Sequence, residues 1–237
     1  YGRHILENFT DGQVRTLSYE NVRTDGEVDQ AVEDAVRRGA NVIFTTTPKL
    51  LLSSVRQAAL HPDVKILNCS LNTSYPSVRT YYPRLYGAKF IKGAIAGTLT
   101  RDGCIGYVAD YPTYGSIASI NAFAQGARMV NANARIYLDW AHLRDGGAVG
   151  RLQAQGIVYI DYLDRLAAST GTQMGNRHNL ALIQTHWGRL YQSLVRRVME
   201  GSWKQEDQGS SAVNYWWGME QGVVSVLCSR RLPTGPR

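Results

Sequence analysis

Side chains able to grip a polar ligand collect at four places in the sequence: Thr45-Thr46-Thr47-Pro48, Asn68-Cys69-Ser70-Leu71-Asn72, Asp110-Tyr111-Pro112-Thr113-Tyr114-Gly115 and Asp161-Tyr162. Hydroxyls and amides donate and accept hydrogen bonds, an ionised carboxylate only accepts, and tyrosine adds a ring face. That mixture suits a hydroxylated ring compound, stacked on aromatics and held through its hydroxyls by Asp or Asn. The same residue types cap helices that begin just after strands, so the set of clusters carries more than any one member. His186-Trp187 is a further candidate, because it opens a helix directly after a strand, where the Trp187 ring is placed to reach a cleft or a hinge.

Catalytic signatures are lacking. The sequence holds no GxSxG elbow, Walker A loop or HExxH pair, and no Gly-rich dinucleotide spacing follows the early strands. Of the five histidines, His4 and His61 read as surface or turn residues. His142, His178 and His186 have no Cys or carboxylate at metal-ligand spacing. Asp110 and Asp161 are the one carboxylate pair to consider for acid-base work. The expectation is therefore a binding protein rather than an enzyme, with no cofactor and no metal.

These loops need elements to position them, and the sequence alternates accordingly. A helix over 28–38 stops at Gly39 and a β-branched strand follows over 41–47; a helix over 49–60 turns at His61-Pro62-Asp63 into a strand over 64–69. After Pro83, read as a helix start, Leu85, Ala88, Ile91, Ile95 and Leu99 mark one buried helical face. Gly93 and Gly97 lower the helix propensity there and imply close packing against a neighbour. Strands are expected over 104–109, 135–138, 156–160, 179–183 and 212–217, with helices built on Ile117, Ile120, Phe123, Ala127 and Val130 and over 187–200. Segment 222–227 reads as helix or strand, and Tyr215-Trp216-Trp217 reads mainly as packing. Such alternation means parallel βαβ crossovers and an α/β, doubly wound sheet, in which ligands bind beyond the C-terminal ends of the strands.

Composition narrows the partners. A chain of 237 residues accommodates one large domain or two lobes. Its net charge of +7 comes from 26 basic against 19 acidic residues, scattered in singles and pairs such as Arg37-Arg38, Arg196-Arg197 and Arg230-Arg231. No nucleic-acid-binding signature accompanies them, which leaves a solvated surface with some affinity for anionic membranes. No apolar run approaches the roughly 20 residues of a membrane span, and no targeting segment opens the sequence. Cys69, Cys104 and Cys228 are too few and too dispersed for a disulfide framework, and each reads as a small buried hydrophobe.

The stretch Arg79-Thr80-Tyr81-Tyr82-Pro83-Arg84-Leu85-Tyr86-Gly87-Ala88-Lys89-Phe90, then Gly93-Ala94-Ile95-Ala96-Gly97, Ile105-Gly106-Tyr107-Val108-Ala109 and Ile120-Asn121-Ala122-Phe123-Ala124-Gln125-Gly126-Ala127-Arg128 resembles the basic membrane protein family of substrate-binding proteins. These are purine-nucleoside receptors of ABC transporters, related to the Med lipoproteins. The likeness continues through His186-Trp187-Gly188, Gly201-Ser202-Trp203-Lys204 and Tyr215-Trp216-Trp217-Gly218-Met219.

The resemblance implies a type I periplasmic-binding-protein fold. Its two α/β lobes would comprise residues 1–99 plus 184–205 and residues 100–183 plus 206–237, joined by a hinge, with a nucleoside in the cleft between them. Thr46, Thr47, Ser70, Asn72, Asp110, Tyr111, Tyr114, Asp161 and Trp187 then become the expected ligand contacts. An ABC permease becomes the expected partner, outside the cytoplasm, with membrane attachment only through an anchor beyond this chain. The family's first strand and its ligand loop have no counterpart ahead of the opening helix, so this reading expects a fragment, or an N-terminal part cleaved or supplied elsewhere, with unpaired backbone in the first sheet. Segment 161–179 also looks shorter than in the family. The alternative is a ligand-sensing regulatory module with the same fold, attached to or partnering another domain.

Overall fold

The computed structural model describes residues 2–110, 114–142, 147–162, 179–203 and 212–232. In chain order the elements are α1 (Gly2–Phe9), α2 (Asp25–Arg37), β1 (Val42–Thr45), α3 (Leu51–Leu60), β2 (Lys65–Asn68), β3 (Val78–Pro83), α4 (Tyr86–Leu99), β4 (Cys104–Ala109), α5 (Tyr114–Val130), β5 (Arg135–Trp140), α6 (Ala148–Ala154), β6 (Tyr159–Asp161), β7 (Ala181–Thr185), α7 (Trp187–Met199), β8 (Asn214–Trp217) and β9 (Val224–Cys228). They form two compact units, Tyr1–Pro83 with His186–Val223 and Arg84–Thr185 with Val224–Arg237.

The first unit holds a parallel sheet in the order β1-β2-β3-β8. Thr24 caps α2, its hydroxyl accepting from Glu27 N while the Glu27 carboxylate accepts from the Thr24 backbone, a reciprocal box that satisfies donors at the helix start. Val28, Val32 and Ala35 face the core at helical spacing, and Gly39, at φ 87°, takes the left-handed turn that ends the segment. Among the described residues β1 has a strand neighbour on one side only, and Val42, Ile43 and Phe44 stay half-buried.

Residues 78–83, which carried no strand expectation, form β3. Pro83 closes this strand instead of opening a helix, a position where its missing N–H costs little. The strand also buries an arginine. Arg79 donates to Trp203 O at 2.7 Å and to the Tyr215 hydroxyl at 2.5 Å, with its guanidinium 3.5 Å over the Trp203 ring, so the charge enters the interior fully engaged.

The second unit has a parallel sheet in the order β5-β4-β6 and a separate antiparallel pair, β7-β9. That pair departs from the wholly parallel expectation: β7 carries the chain out of the unit and β9 brings it back, so the two run in opposite directions. The unit's core gathers Ile105, Tyr107, Phe123 and Ala127 on one side, and Val108, Ala148, Leu152 and Ile160 on the other. Helices α4 and α5 meet through Gly93, Gly97 and Gly126, where a Cβ would overlap the backbone of the opposite helix. This packing assigns α4 to the second unit, whereas residues up to 99 were expected in the first. Likewise β8, paired with β3, keeps residues up to Val223 in the first unit.

The buried face of α4 is rotated from the expected one. It consists of Ala88, Lys89, Lys92, Gly93, Ala96 and Gly97, because α5 needs small residues and a buried carboxylate takes the lysines. Cys69 is buried as expected, but Cys104 is half-buried and Cys228 exposed, the latter ending β9. No described helix is long and apolar enough to cross a membrane. The polar stretch 169–176 lies outside the described residues.

Candidate ligand-binding site

In the first unit, the C-terminal ends of β1 and β2 are fastened by a polar network. The Asn68 side-chain amide donates to Thr45 Oγ1 at 2.7 Å and to Thr47 O at 3.0 Å. Thr45 Oγ1 also meets Ser54 Oγ at 2.9 Å, and the buried Tyr81 hydroxyl donates to Thr45 O at 3.1 Å. Burial pushes the Tyr81 hydroxyl well above the ordinary tyrosine range and raises that of Tyr191. Fixed donors on Asn68 leave its Oδ1 pointing elsewhere. That atom and Ser70 Oγ are both buried, with no hydrogen-bond partner among the described residues.

Ser70 itself is only 5% exposed. Two unsatisfied buried polar atoms, two residues apart at the end of one strand, call for an explanation, and a polar ligand at the strand end supplies one. Thr46 and Asn72 are exposed. Thr47 accepts from Lys49 N at 3.4 Å as the cap of a short 3₁₀ turn, Pro48–Leu50, so its hydroxyl has the capping role. The loop after β2 is pinned by Trp216, whose indole N–H donates to Leu71 O.

Trp187, half-buried at the start of α7, lies edge-on to Tyr81 with ring centres 6.3 Å apart and stacks against Tyr191 at 6.1 Å. Tyr191 in turn contacts Phe44 at 4.8 Å. This ring cluster sets the orientation of Trp187 from within the unit, and Gly188 is needed behind it because a Cβ there would lie 2.8 Å from Ile5.

In the second unit the two expected carboxylates receive different surroundings. Asp161 closes β6 and turns inward, its side chain 1% exposed; Lys89 Nζ lies 2.8 Å from Oδ2, and Lys92 Nζ pairs with Oδ1. Lys89 also lies 5.2 Å over the Tyr107 ring. Asp161 therefore belongs to the interior scaffold of the unit, not to a surface open to ligand. Asp110, just beyond β4, stays 39% exposed and meets His142 Nε2 through Oδ1 at 2.6 Å. Each carboxylate is thus engaged by its own cationic or imidazole partner, and the two do not make an acid-base pair. Tyr111 lies outside the described residues, and Tyr114 opens α5.

His142 had no partner at short sequence spacing; its carboxylate comes from another strand. The signal that could have found it is the parallel register, which sets Ala109 beside Trp140 and so brings the residues after β4 and β5 together. Among the described residues no cluster of His, Cys, Asp and Glu could hold a metal ion.

The chain has relatives among known proteins. A family model, Bmp, described as ABC transporter substrate-binding protein PnrA-like, matches residues 4–171. A purine-binding protein of Brucella abortus (strain 2308) is 25% identical over 252 residues, covering 98% of this chain and 70% of that protein. Among solved structures, a transcriptional activator of the comK gene from Bacillus halodurans superposes with a TM-score of 0.80 at 16% identity, over 98% of this chain and 86% of the other. An ABC transporter solute-binding protein from Conexibacter woesei gives 0.70 at 13% identity, over 97% and 84%. At such identities the structural likeness speaks for the fold alone.

Proposed function

The chain belongs to the Bmp family of PnrA-like ABC transporter substrate-binding proteins, and from that premise we propose that it binds a nucleoside through the strand-end loops of its two units and delivers it to an ABC permease. The fold is the type I fold of periplasmic binding proteins. Binding rather than catalysis is the work of such a family. The observation that carries the nucleoside reading is the pair of unsatisfied buried polar atoms, Asn68 Oδ1 and Ser70 Oγ, at the strand end where ligands of open α/β sheets bind. In the second unit Asp110 offers an acceptor suited to sugar hydroxyls, and in the first Trp187 offers a ring face suited to a base. The Brucella abortus relative, described as purine-binding, favours a purine. Thr46, Thr47, Asn72, Tyr111 and Tyr114 remain candidate contacts by position. We place the protein's action outside the cytoplasm, with attachment through an anchor beyond this chain.

A ligand-sensing regulatory module is the second reading, since the fold is shared with a protein described as a transcriptional activator. Fold alone does not fix function, and the family match weighs toward transport. Isothermal titration of the purified protein with inosine, adenosine, guanosine, uridine, the free bases and glucose tests the first reading. Saturable binding of a purine nucleoside is expected, with a melting-temperature rise matching about 2.7 kcal/mol at a hundredfold excess over Kd. A cooperative melt with no nucleoside response overturns it. ATP hydrolysis by a reconstituted permease stimulated by the liganded protein supports transport over sensing.

A further inference from the structure

We propose that strand β5 is a self-association surface: a second copy of this chain pairs with it antiparallel about a two-fold axis through Leu138, joining the three-stranded sheets of the two second units into one. Such assembly is independent of the nucleoside reading above.

Among the described residues the two parallel sheets end on β1, β8, β5 and β6. Of these β5 is the longest, with six residues against four, four and three. Its sequence, Arg135-Ile136-Tyr137-Leu138-Asp139-Trp140, is mostly apolar and aromatic, yet none of the six is buried and Leu138 is 43% exposed. Natural proteins blunt a free edge with lysine, proline, a bulge or brevity. The register of β5 on β4 runs unbroken from Cys104 beside Arg135 to Ala109 beside Trp140, and the strand carries none of those devices. A long, flat, apolar edge of this kind calls for a cover.

The ladder with β4 fixes which backbone groups face outward. Arg135 N donates to Gly103 O and Ala141 N to Ala109 O, both at 2.8 Å, so the odd-numbered residues turn their N–H and C=O towards β4. By alternation Ile136, Leu138 and Trp140 turn theirs to the open edge. Trp140 N rests on Asp139 Oδ1 at 2.8 Å, while Ile136 and Leu138 meet no strand on that side among the described residues. An antiparallel copy centred on Leu138 supplies one: Leu138 exchanges both its bonds with its counterpart, and each Ile136 N–H donates to Trp140 O of the other copy. The side chains match as well. On the face where Ile136 and Trp140 pack on the core with Phe123 and Ala127 of α5, Ile136, Leu138 and Trp140 meet Trp140, Leu138 and Ile136 of the second copy. On the other face Tyr137 falls opposite Asp139 of the second copy, and Arg135 lies diagonal to the same carboxylate, a spacing that a long side chain spans. Arg151 holds Asp139 at 2.7 Å and 3.0 Å, which fixes that acceptor in place. The strand is thus complementary to itself in charge and in apolar pattern, as an isologous contact requires, and with one β5 per chain the pairing closes at a dimer.

Sedimentation equilibrium of the purified protein over a wide concentration range tests this, alongside L138K and L138P, each first shown to melt cooperatively. Wild type is expected to follow a monomer–dimer equilibrium. L138K sets two like charges opposite each other on the axis and should weaken the dimer roughly tenfold or more. L138P should do the same, because it removes an outward N–H and leaves the bonds to β4 in place. Cross-linking locates the contact. In a C104S/C228S background a short bis-maleimide should join L138C to its counterpart and leave V158C, an exposed position beside the opposite edge strand β6, unjoined. A wild-type protein that stays monomeric throughout, growth past a dimer, a dimer that L138K and L138P leave intact, or cross-linking as efficient through residue 158 as through residue 138 would overturn the proposal.

Discussion

At the scale of single residues, the same amino-acid type was given opposite tasks by its neighbours. Asp110 keeps an open side, whereas Asp161 lies in the interior between Lys89 and Lys92. Removing one member of such a buried group leaves uncompensated charge. Asp161→Ala is therefore expected to lower stability by about 3–5 kcal/mol, read from urea denaturation, whereas Asp110→Ala should change it little. An Asp161→Ala protein of near-normal stability would mean that the lysines find water or another carboxylate. The thiols make a second case. Burial pushes Cys69 up to about 11, from an ordinary 9.0, while Cys228 is exposed. In native protein at pH 8, iodoacetamide should modify Cys228 and spare Cys69 until denaturant is added. Because the folded state holds the Cys69 proton after the unfolded chain has released it, stability is present below pH 9.0 and falls as pH rises towards about 11. Cys69→Ala should flatten that part of the curve. The sequence could display the hydroxyls, amides and carboxylates after each strand. It could not display Asp110 beside His142, a contact across two strands, nor two lysines in an interior, because lysine is ordinarily solvated.

At the scale of elements, most helices and strands were legible because their signals are local: a stop at Gly39, a turn at His61-Pro62-Asp63, apolar spacing in α5. What escaped depended on distant partners. The strand β3 looks unlike a core strand until Trp203 and Tyr215 engage Arg79. The short helix α6 buries little beyond Ala148 and Leu152, too few residues for a clear period. Close packing of α4 against some neighbour was anticipated from Gly93 and Gly97, yet the partner α5 was not, and the buried face was misread, since helix periodicity was followed through large apolar side chains rather than small ones. This contact yields a matched pair of substitutions. Gly126→Ala sets a Cβ against the Phe90 carbonyl, and Gly93→Ala sets one against that of Phe123; backbone cannot yield as a flexible side chain does, so either should cost about 1–3 kcal/mol or more. Gly150, in α6, has nothing within 4 Å of a built Cβ. Its change to Ala should be neutral or stabilise by up to about 1 kcal/mol through helix propensity and the unfolded chain. Equal effects at Gly126 and Gly150 would show that the α4–α5 packing is not tight.

At the scale of the whole molecule, the sequence announced two α/β units but misplaced their limits, because the assignment of a helix is decided by what it packs on. Helix α4 went to the second unit with α5, and β8 stayed in the first beside β3. The chain passes from one unit to the other after Pro83, Thr185 and Val223. Each unit has its own core, Val28, Val32 and Leu50 or Ala58, Ile66 and Val78 in the first, and the α5-covered sheet in the second. Separate cores allow separate opening, and that gives ligand binding a distinctive signature. A ligand held by the first unit alone would slow amide exchange around Asn68 and Ser70 and leave the second unit unchanged. A nucleoside that draws on both sets of strand ends must stabilise both, since any group that binds only the folded form shifts the opening equilibrium of every unit it contacts. On the proposed reading, in which the ligand draws on both units, hydrogen exchange with saturating inosine should raise protection in β2 and in β4 together, with Asp110→Ala removing the added protection from β4 first. Protection confined to one unit would restrict the binding surface to that unit and remove the other from the site.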